Sequence, residues 1–152
     1  MPADPFVSAL QDWNEVAMRH SMRNFLRYAR ESGFSMSHLG AIFHIHRIGS
    51  CGVTEIGEHL GVTSAAASQM IDRLVEQDLV ERTEDPQDRR VKRIELTGKG
   101  RRVFDMAIQA REAWMDELAS SLSPDEKERL TGALRVLIEK LDRLTDGIDP
   151  DA

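Results

Sequence analysis

The stretch EDPQDRRVKRIELTGKG, residues 84–100, sets Arg89, Arg90, Lys92 and Arg93 within five consecutive positions. The chain around it is acidic: 26 carboxylate residues stand against 20 Lys and Arg, for a net charge of −6. Asp85, Pro86 and Asp88 ahead of these cations are turn-forming residues. After the turn, Val91, Arg93 and Glu95 alternate with Lys92, Ile94 and Leu96, the period of a strand. Before it, LVERT (79–83) reads as a second short extended segment. Two short strands around a Pro-containing turn make a β-hairpin.

On the N-terminal side of the hairpin, Thr54 reads as the N-cap of a short helix over 55–60, with Ile56 and Leu60 on one face. Gly61 makes a turn. Thr63 or Ser64 then caps a longer helix, SAAASQMIDRLVEQ, whose apolar side is Met70, Ile71, Leu74 and Val75. Two helices joined by a tight Gly turn, the second longer, form the helix-turn-helix pattern. That pattern alone is unspecific, but helix, turn, helix and hairpin in series make a winged helix-turn-helix. The hairpin is the wing.

Long helices flank this lobe. Residues 6–32 carry Phe6, Leu10, Trp13 and Ala17 at spacings of 4, 3 and 4, continued by Met22, Phe25, Leu26 and Ala29. Gly33 stops that helix, and Ser35 or Ser37 caps a second one running to about Ile48, with Leu39, Ile42, Phe43 and Ile45 inward. GSCGV (49–53) is a loop or a very short strand. Beyond the wing, Thr97 caps a helix over about 98–121, with Val103, Phe104, Ala107, Ile108, Trp114, Met115 and Leu118 as its stripe. SPDE (123–126) opens the last helix with a capping box and a proline at its first position. There Leu130, Leu134, Leu137, Leu141 and Leu144 repeat at 4-3-4-3, a seam long enough for a second subunit, although an intramolecular helical hairpin would also use it. The predicted class is therefore mainly α (α+β): one domain over 1–152, with a winged helix-turn-helix lobe over 36–100 and dimerisation helices over 6–32 and 101–146.

Composition bounds the rest. The first thirty residues hold charges and no signal-peptide core, and no apolar run approaches a membrane span, so a cytoplasmic protein without membrane contact is expected. A single cysteine, Cys51, rules out an internal disulfide framework. No phosphate loop, nucleophile elbow or H-E-x-x-H is present, so neither an enzyme nor a cofactor is expected.

The order helix–helix–winged helix-turn-helix–helix–helix, with TEIGEHLGV, SQMIDRLVEQDLVER and DPQDRRVKRIELTGKG in it, resembles the MarR (multiple antibiotic resistance regulator) family. That family's wing pattern looks like D-P-x-D-R-R-x-x-x-x-x-L-T, and Asp85 through Thr97 matches every fixed position. One departure is Asp78, where the family commonly has the Gly that ends the recognition helix; Asp tolerates the left-handed conformation better than most residues. The resemblance implies a homodimer on a pseudo-palindromic double-stranded operator, usually repressing. The recognition helix (63–77) would lie in the major groove and the wing (84–93) in the minor groove.

The recognition helix presents Thr63, Ser64, Ala65, Ala66, Ser68, Gln69 and Arg73 away from its apolar side. Gln can bond adenine bidentately, Ser can address base edges, and Ala can touch thymine methyls. Arg73 is as well suited to a phosphate or an intramolecular partner as to a base. Residues 54–81 hold six acids and one arginine, net −5, whereas 82–102 hold eight bases and four acids, net +4. Attraction for phosphate thus resides in the wing and the start of the next helix, and the candidates there are Asp88, Arg89, Arg90, Lys92 and Arg93. Asp88 and Arg90 are two apart, so an extended chain turns them the same way. The resemblance implies that Arg90 enters the minor groove, braced by Asp88.

For regulation, the resemblance implies release of DNA by a small molecule, a metal or an oxidant. Redox-sensing members use a cysteine near the start of the first helix, where this chain has none, and Cys51 reads as a structural thiol. His38, His44 and His46 lie near Cys51, but His44 and His46 do not share a helix face, so no metal site is expected. A small anionic or aromatic effector is the expectation, with Trp13, His20, Arg23, His44 and Trp114 as pocket candidates. The rivals are a redox- or metal-responsive regulator and a winged-helix protein-interaction module without DNA binding.

Overall fold

The computed structural model describes residues 4–85 and 92–145. Six helices and three short strands follow in the order α1 (Pro5–Ser32), α2 (Met36–Ile48), β1 (Ser50–Cys51), α3 (Val53–Leu60), α4 (Ser64–Glu76), β2 (Val80–Glu84), β3 (Lys92–Leu96), α5 (Gly98–Ser121) and α6 (Pro124–Thr145). The strands form one antiparallel sheet ordered β1-β3-β2, so the two-residue β1 pairs with the returning strand of the wing. Two compact units divide the chain, one reaching to Ala113 and the other beginning at Trp114.

Local chemistry accounts for most boundaries. The Asp4 side chain accepts from the Phe6 amide at 2.8 Å, and Gly33 closes α1 at φ +75°. Ser35, of the two serines, caps α2 by accepting from the His38 amide. At α6 the Ser123 amide donates to Glu126 Oε2 at 2.9 Å and the Glu126 amide returns to Ser123 Oγ, the capping box that SPDE spells. These hydrogen bonds hold the Glu126 carboxyl below its ordinary range. Thr54 does not cap α3. The helix starts two residues earlier than expected, at Val53, and the Gly52 amide donates to Glu55 Oε2 at 2.6 Å. A carboxylate in the first turn satisfies an open donor and meets the positive end of the helix dipole, which leaves Thr54 without that role.

The core of the first unit gathers Ala41, Ile42 and Ile45 of α2, Ile56 of α3, Ile71 and Leu74 of α4, and Ile94 and Leu96 of β3 around Cys51 and Leu79. Each buried Ile or Leu contributes about 1.5–3 kcal/mol, so this cluster stabilises the lobe independently of what lies beyond it. Aromatic edges join α1 and α5 to it: Phe25 meets Phe43, Phe43 meets Phe104 at 4.8 Å, and the His46 ring stacks on Phe104. Among the described residues no helix is long and apolar enough to cross a membrane.

Candidate nucleic-acid interface

The helix-turn-helix is held by close backbone approach. Gly61 sits at φ +65°, and the Val62 amide returns to the Gly57 carbonyl at 2.9 Å. A Cβ on Gly57 would lie 3.2 Å from the Val62 carbonyl and 3.3 Å from Ala67 Cβ, so a side chain there would press α3 away from α4. Of the two candidate caps, Thr63 takes the place, accepting from the Ala66 amide. With Ala67, Met70, Ile71 and Leu74 buried, α4 turns Thr63, Ser64, Ala65, Ala66, Gln69 and Arg73 to the exterior, and leaves Ser68 half-buried at the margin. Arg73 lies near enough to His38 of α2 to help lower that imidazole's pKa, after burial.

The C-terminal end of α4 is buckled to the start of α5. Asp78 adopts φ +58°, the one non-glycine residue with positive φ among those described. This fits its short side chain and ends the helix where a glycine would otherwise serve. Thr97 Oγ1 donates to the Asp78 carbonyl at 2.7 Å and also accepts from the Gly100 amide, capping α5. The Thr97 amide bonds the Leu79 carbonyl, and Lys99 Nζ donates to the Gln77 carbonyl at 2.7 Å. A Cβ on Gly100 would stand 2.0 Å from the Leu79 carbonyl oxygen, so only glycine fits. The pattern Leu-Thr-x-x-Gly at the end of the wing thus closes α4, the hairpin base and α5 on one another. Sequence reading found the Thr97 cap but not the contact at Gly100. The available signal was a glycine inside a first helical turn, which costs about 1 kcal/mol against alanine without some such need.

The strands of the hairpin pair from Val80↔Leu96 to Glu84↔Lys92. Lys92 Nζ meets Glu84 Oε1 at 2.9 Å with both side chains half exposed, a pair that can exchange for phosphate at little cost. Arg82 pairs with Asp72 of α4 at 2.5 Å. Arg93 differs from both. Its Nε donates to Ser50 Oγ at 2.7 Å, its Nη2 to the Ser50 carbonyl at 2.6 Å, and its Nη1 to Asp85 Oδ2 at 3.3 Å. The expected groove residues Asp88, Arg89 and Arg90 lie outside the described residues, as do Pro86, Gln87 and Val91.

The expected effector residues separate. Arg23 Nη2 lies 3.3 Å from His20 Nδ1 on α1, and Trp13 is exposed on the same helix. Trp114 belongs to the second unit. His44 is buried in the α2–α3 contact, its ring stacked on His59 at 4.0 Å and its Nδ1 within 3.5 Å of Arg47. Since the guanidinium can only donate, Nδ1 accepts and Nε2 carries the proton of the neutral ring. Among the described residues Nε2 has no hydrogen-bond partner. Burial first, then His59 and Arg47, lower the His44 pKa, against an opposing pull from Glu55. Cys51 is fully buried, and burial together with the Glu55 carboxylate pushes its thiol up to about 11, with Arg93 partly opposing. At neutral pH it is a protonated, enclosed thiol without the thiolate character that redox chemistry needs. His46 faces Phe104, and no three His, Cys, Asp or Glu among the described residues gather as a metal site would require.

Comparison with known proteins bears on this arrangement directly. A family model described as MarR family matches residues 34–92, the span from α2 into the wing. The HTH-type transcriptional repressor MdtR of Bacillus subtilis is 29% identical over 124 residues, covering 82% of this chain and 80% of the relative. Transcriptional regulator Tm0710 from Thermotoga maritima superposes with a TM-score of 0.79 at 22% identity, over 95% of this chain and 99% of the other. A mutant MarR from E. coli, complexed with operator DNA, superposes with a TM-score of 0.55 at 23% identity, over 89% and 99%. The two structures share the fold. The family model and the relative show that the chain, from α2 into the wing, is similar to transcriptional regulators of the MarR family.

Proposed function

We propose that this protein is a MarR-family transcriptional regulator that binds double-stranded operator DNA as a homodimer in the cytoplasm and represses transcription until a small anionic or aromatic molecule releases it. One observation carries the DNA reading: α4 faces outward with Thr63, Ser64, Ala65, Ala66 and Gln69, small or hydrogen-bonding side chains, while its other face is buried. Such a helix can approach base edges in the major groove, Gln69 addressing adenine and the alanines thymine methyls. The helix-turn-helix itself is acidic, so its contact depends on the cations of the wing, with Arg89, Arg90 and Lys92 at phosphate and minor groove and Asp88 bracing Arg90. Arg73 serves the backbone or His38.

The lobe over 36–100 is the reader, and the helices over 6–32 and 101–146 form the dimer. Support comes from apolar side chains exposed in the single chain: Phe6, Leu10 and Trp13 on α1, and Leu130, Leu134, Leu141 and Leu144 on α6. Faces of this kind are covered in a stable oligomer. The dimer would span half-sites about one helical turn apart, and an effector that prefers another spacing of the two readers lowers affinity. His20 and Arg23, which touch, are its first candidate contacts, ahead of Trp13 and Trp114; His44 is held in the α2–α3 packing. That the relative MdtR is a repressor supports the sign of regulation.

The test is to recover DNA from a random pool with the purified protein and measure affinity for the selected site by fluorescence anisotropy. Gln69→Ala should weaken the selected site by roughly 5- to 150-fold while changing random DNA little, because a bidentate base contact is worth about 1–3 kcal/mol. Absence of any selected, salt-dependent binding by the wild type would leave the protein-interaction module as the better reading.

A further inference from the structure

Arg93 belongs to the cationic run that the DNA reading assigns to phosphate, yet its surroundings are those of an internal clamp. Among the described residues, three of its five guanidinium donors are engaged, two on Ser50 and one on Asp85. Neither end of the Asp85 pair is fully exposed: the side chains keep 31% and 19% of their accessible surface. Lys92, the neighbouring cation, keeps 54%, and its partner among the described residues is the half-exposed Glu84. A phosphate contact through the engaged donors of Arg93 would break charge-assisted hydrogen bonds; one by Lys92 would exchange a solvated pair.

What the clamp joins matters more than its strength. Ser50 is half of β1, the two-residue strand between the end of α2 and the start of α3. That strand has only two ladder positions on β3, Ser50↔Glu95 and Cys51↔Ile94. A strand so short is weakly held by its ladder, and the two bonds from Arg93 tie its backbone and side chain to the wing's returning strand. Asp85 is the first residue beyond β2 on the wing's outgoing side. One planar group therefore connects the α2–α3 junction, the outgoing side of the wing and its returning strand.

Resting on the DNA-binding reading above, we propose that Arg93 is a positioning residue, fixing the wing to the α2–α3 junction through Ser50 and Asp85 without itself contacting phosphate. The fork geometry is essential to this role. Lysine keeps the charge but cannot bridge Ser50 and Asp85 with a planar group.

Arg93→Lys and Arg93→Met separate the roles on a selected DNA site titrated between 50 and 300 mM salt (roughly the range over which counterion release is read). A positioning role weakens both variants alike, by about tenfold (the loss of one or two charge-assisted bonds), with the salt slope of the wild type. Ser50→Ala, remote from the cationic run, then weakens binding in the same direction by about threefold, from loss of one of the three bonds. A phosphate contact gives the opposite pattern: Arg93→Lys binds like the wild type, and Arg93→Met lowers the slope by about 0.9. Either of those two results overturns the proposal. Amide hydrogen exchange on the free proteins is a second readout, and it distinguishes failure of the clamp from failure of the DNA reading. Faster exchange across 50–51 and 92–96 in Arg93→Met supports the clamp, and unchanged exchange refutes it, even if the wild type were to bind no DNA.

Discussion

Helices α4 and α6 carry equally regular apolar stripes, but among the described residues only that of α4 is buried. On α4, Ile71 and Leu74 are fully buried against α2, α3 and the sheet. On α6, Leu130, Leu134, Leu141 and Leu144 remain between 45% and 66% exposed. Periodicity states that a face wants cover; it does not name the cover. The difference separates a stripe buried within the lobe from one that stays about half exposed on α6, and each region breaks in its own way.

The largest expected effect lies at the buckle of the lobe. Gly100→Ala places a Cβ on the Leu79 carbonyl, and because backbone and not a flexible side chain stands in the way, strands and helix must separate. The loss should exceed ~3 kcal/mol, the upper range for overpacking. A thermal-denaturation midpoint close to the wild type would show the closure to be softer than the geometry implies.

Next comes a matched pair of truncations, one in each region. Leu74→Ala should cost about 2–5 kcal/mol at every protein concentration, because its cavity lies inside the lobe. Leu141→Ala should cost little in the monomer and instead weaken self-association, so that its penalty in urea denaturation grows as protein concentration rises. Sedimentation equilibrium measures the same change as a shift toward monomer. Equal, concentration-independent losses for the two would erase the distinction between the stripes.

The smallest effect is one of pH. In the folded lobe His44 stays neutral below the range in which the unfolded chain takes up its proton, about pH 6.5. The unfolded state then binds more protons, so stability is complete above that value and declines as pH falls toward the lowered folded-state pKa. His44→Phe removes this contribution while keeping a ring to stack on His59. Urea midpoints at pH 7.5 and 5.5 should therefore differ less in the variant than in the wild type, and an equal difference would refute the assignment.

Much of the lobe could be read from neighbours in sequence. Asp78 sits just beyond the end of α4 and takes the left-handed conformation expected of it. The cap at Thr97 and the box at Ser123 and Glu126 follow from side chains reaching three residues along. Thr54 misled because a hydroxyl before a helix is a good cap in isolation, while Glu55 supplied a better partner for the Gly52 amide. The wing's charge was legible as well, but not which of its cations face inward. Arg93 and Lys92 are adjacent and similar in type, and their roles part only because Ser50, 43 residues earlier, comes to lie beside one of them.

By itself, then, the sequence determined the helices, most of their caps, the hairpin and the cationic run, because hydrogen bonds within a turn and apolar period act over a few residues. Tertiary structure alone decided that Gly100 must lack a side chain, that His44 stacks on His59, and that Arg93 is drawn onto Ser50 and Asp85. Those outcomes depend on the distance between backbone segments remote along the chain, and that distance is set by how the core packs around Ile71, Leu74 and Ile94.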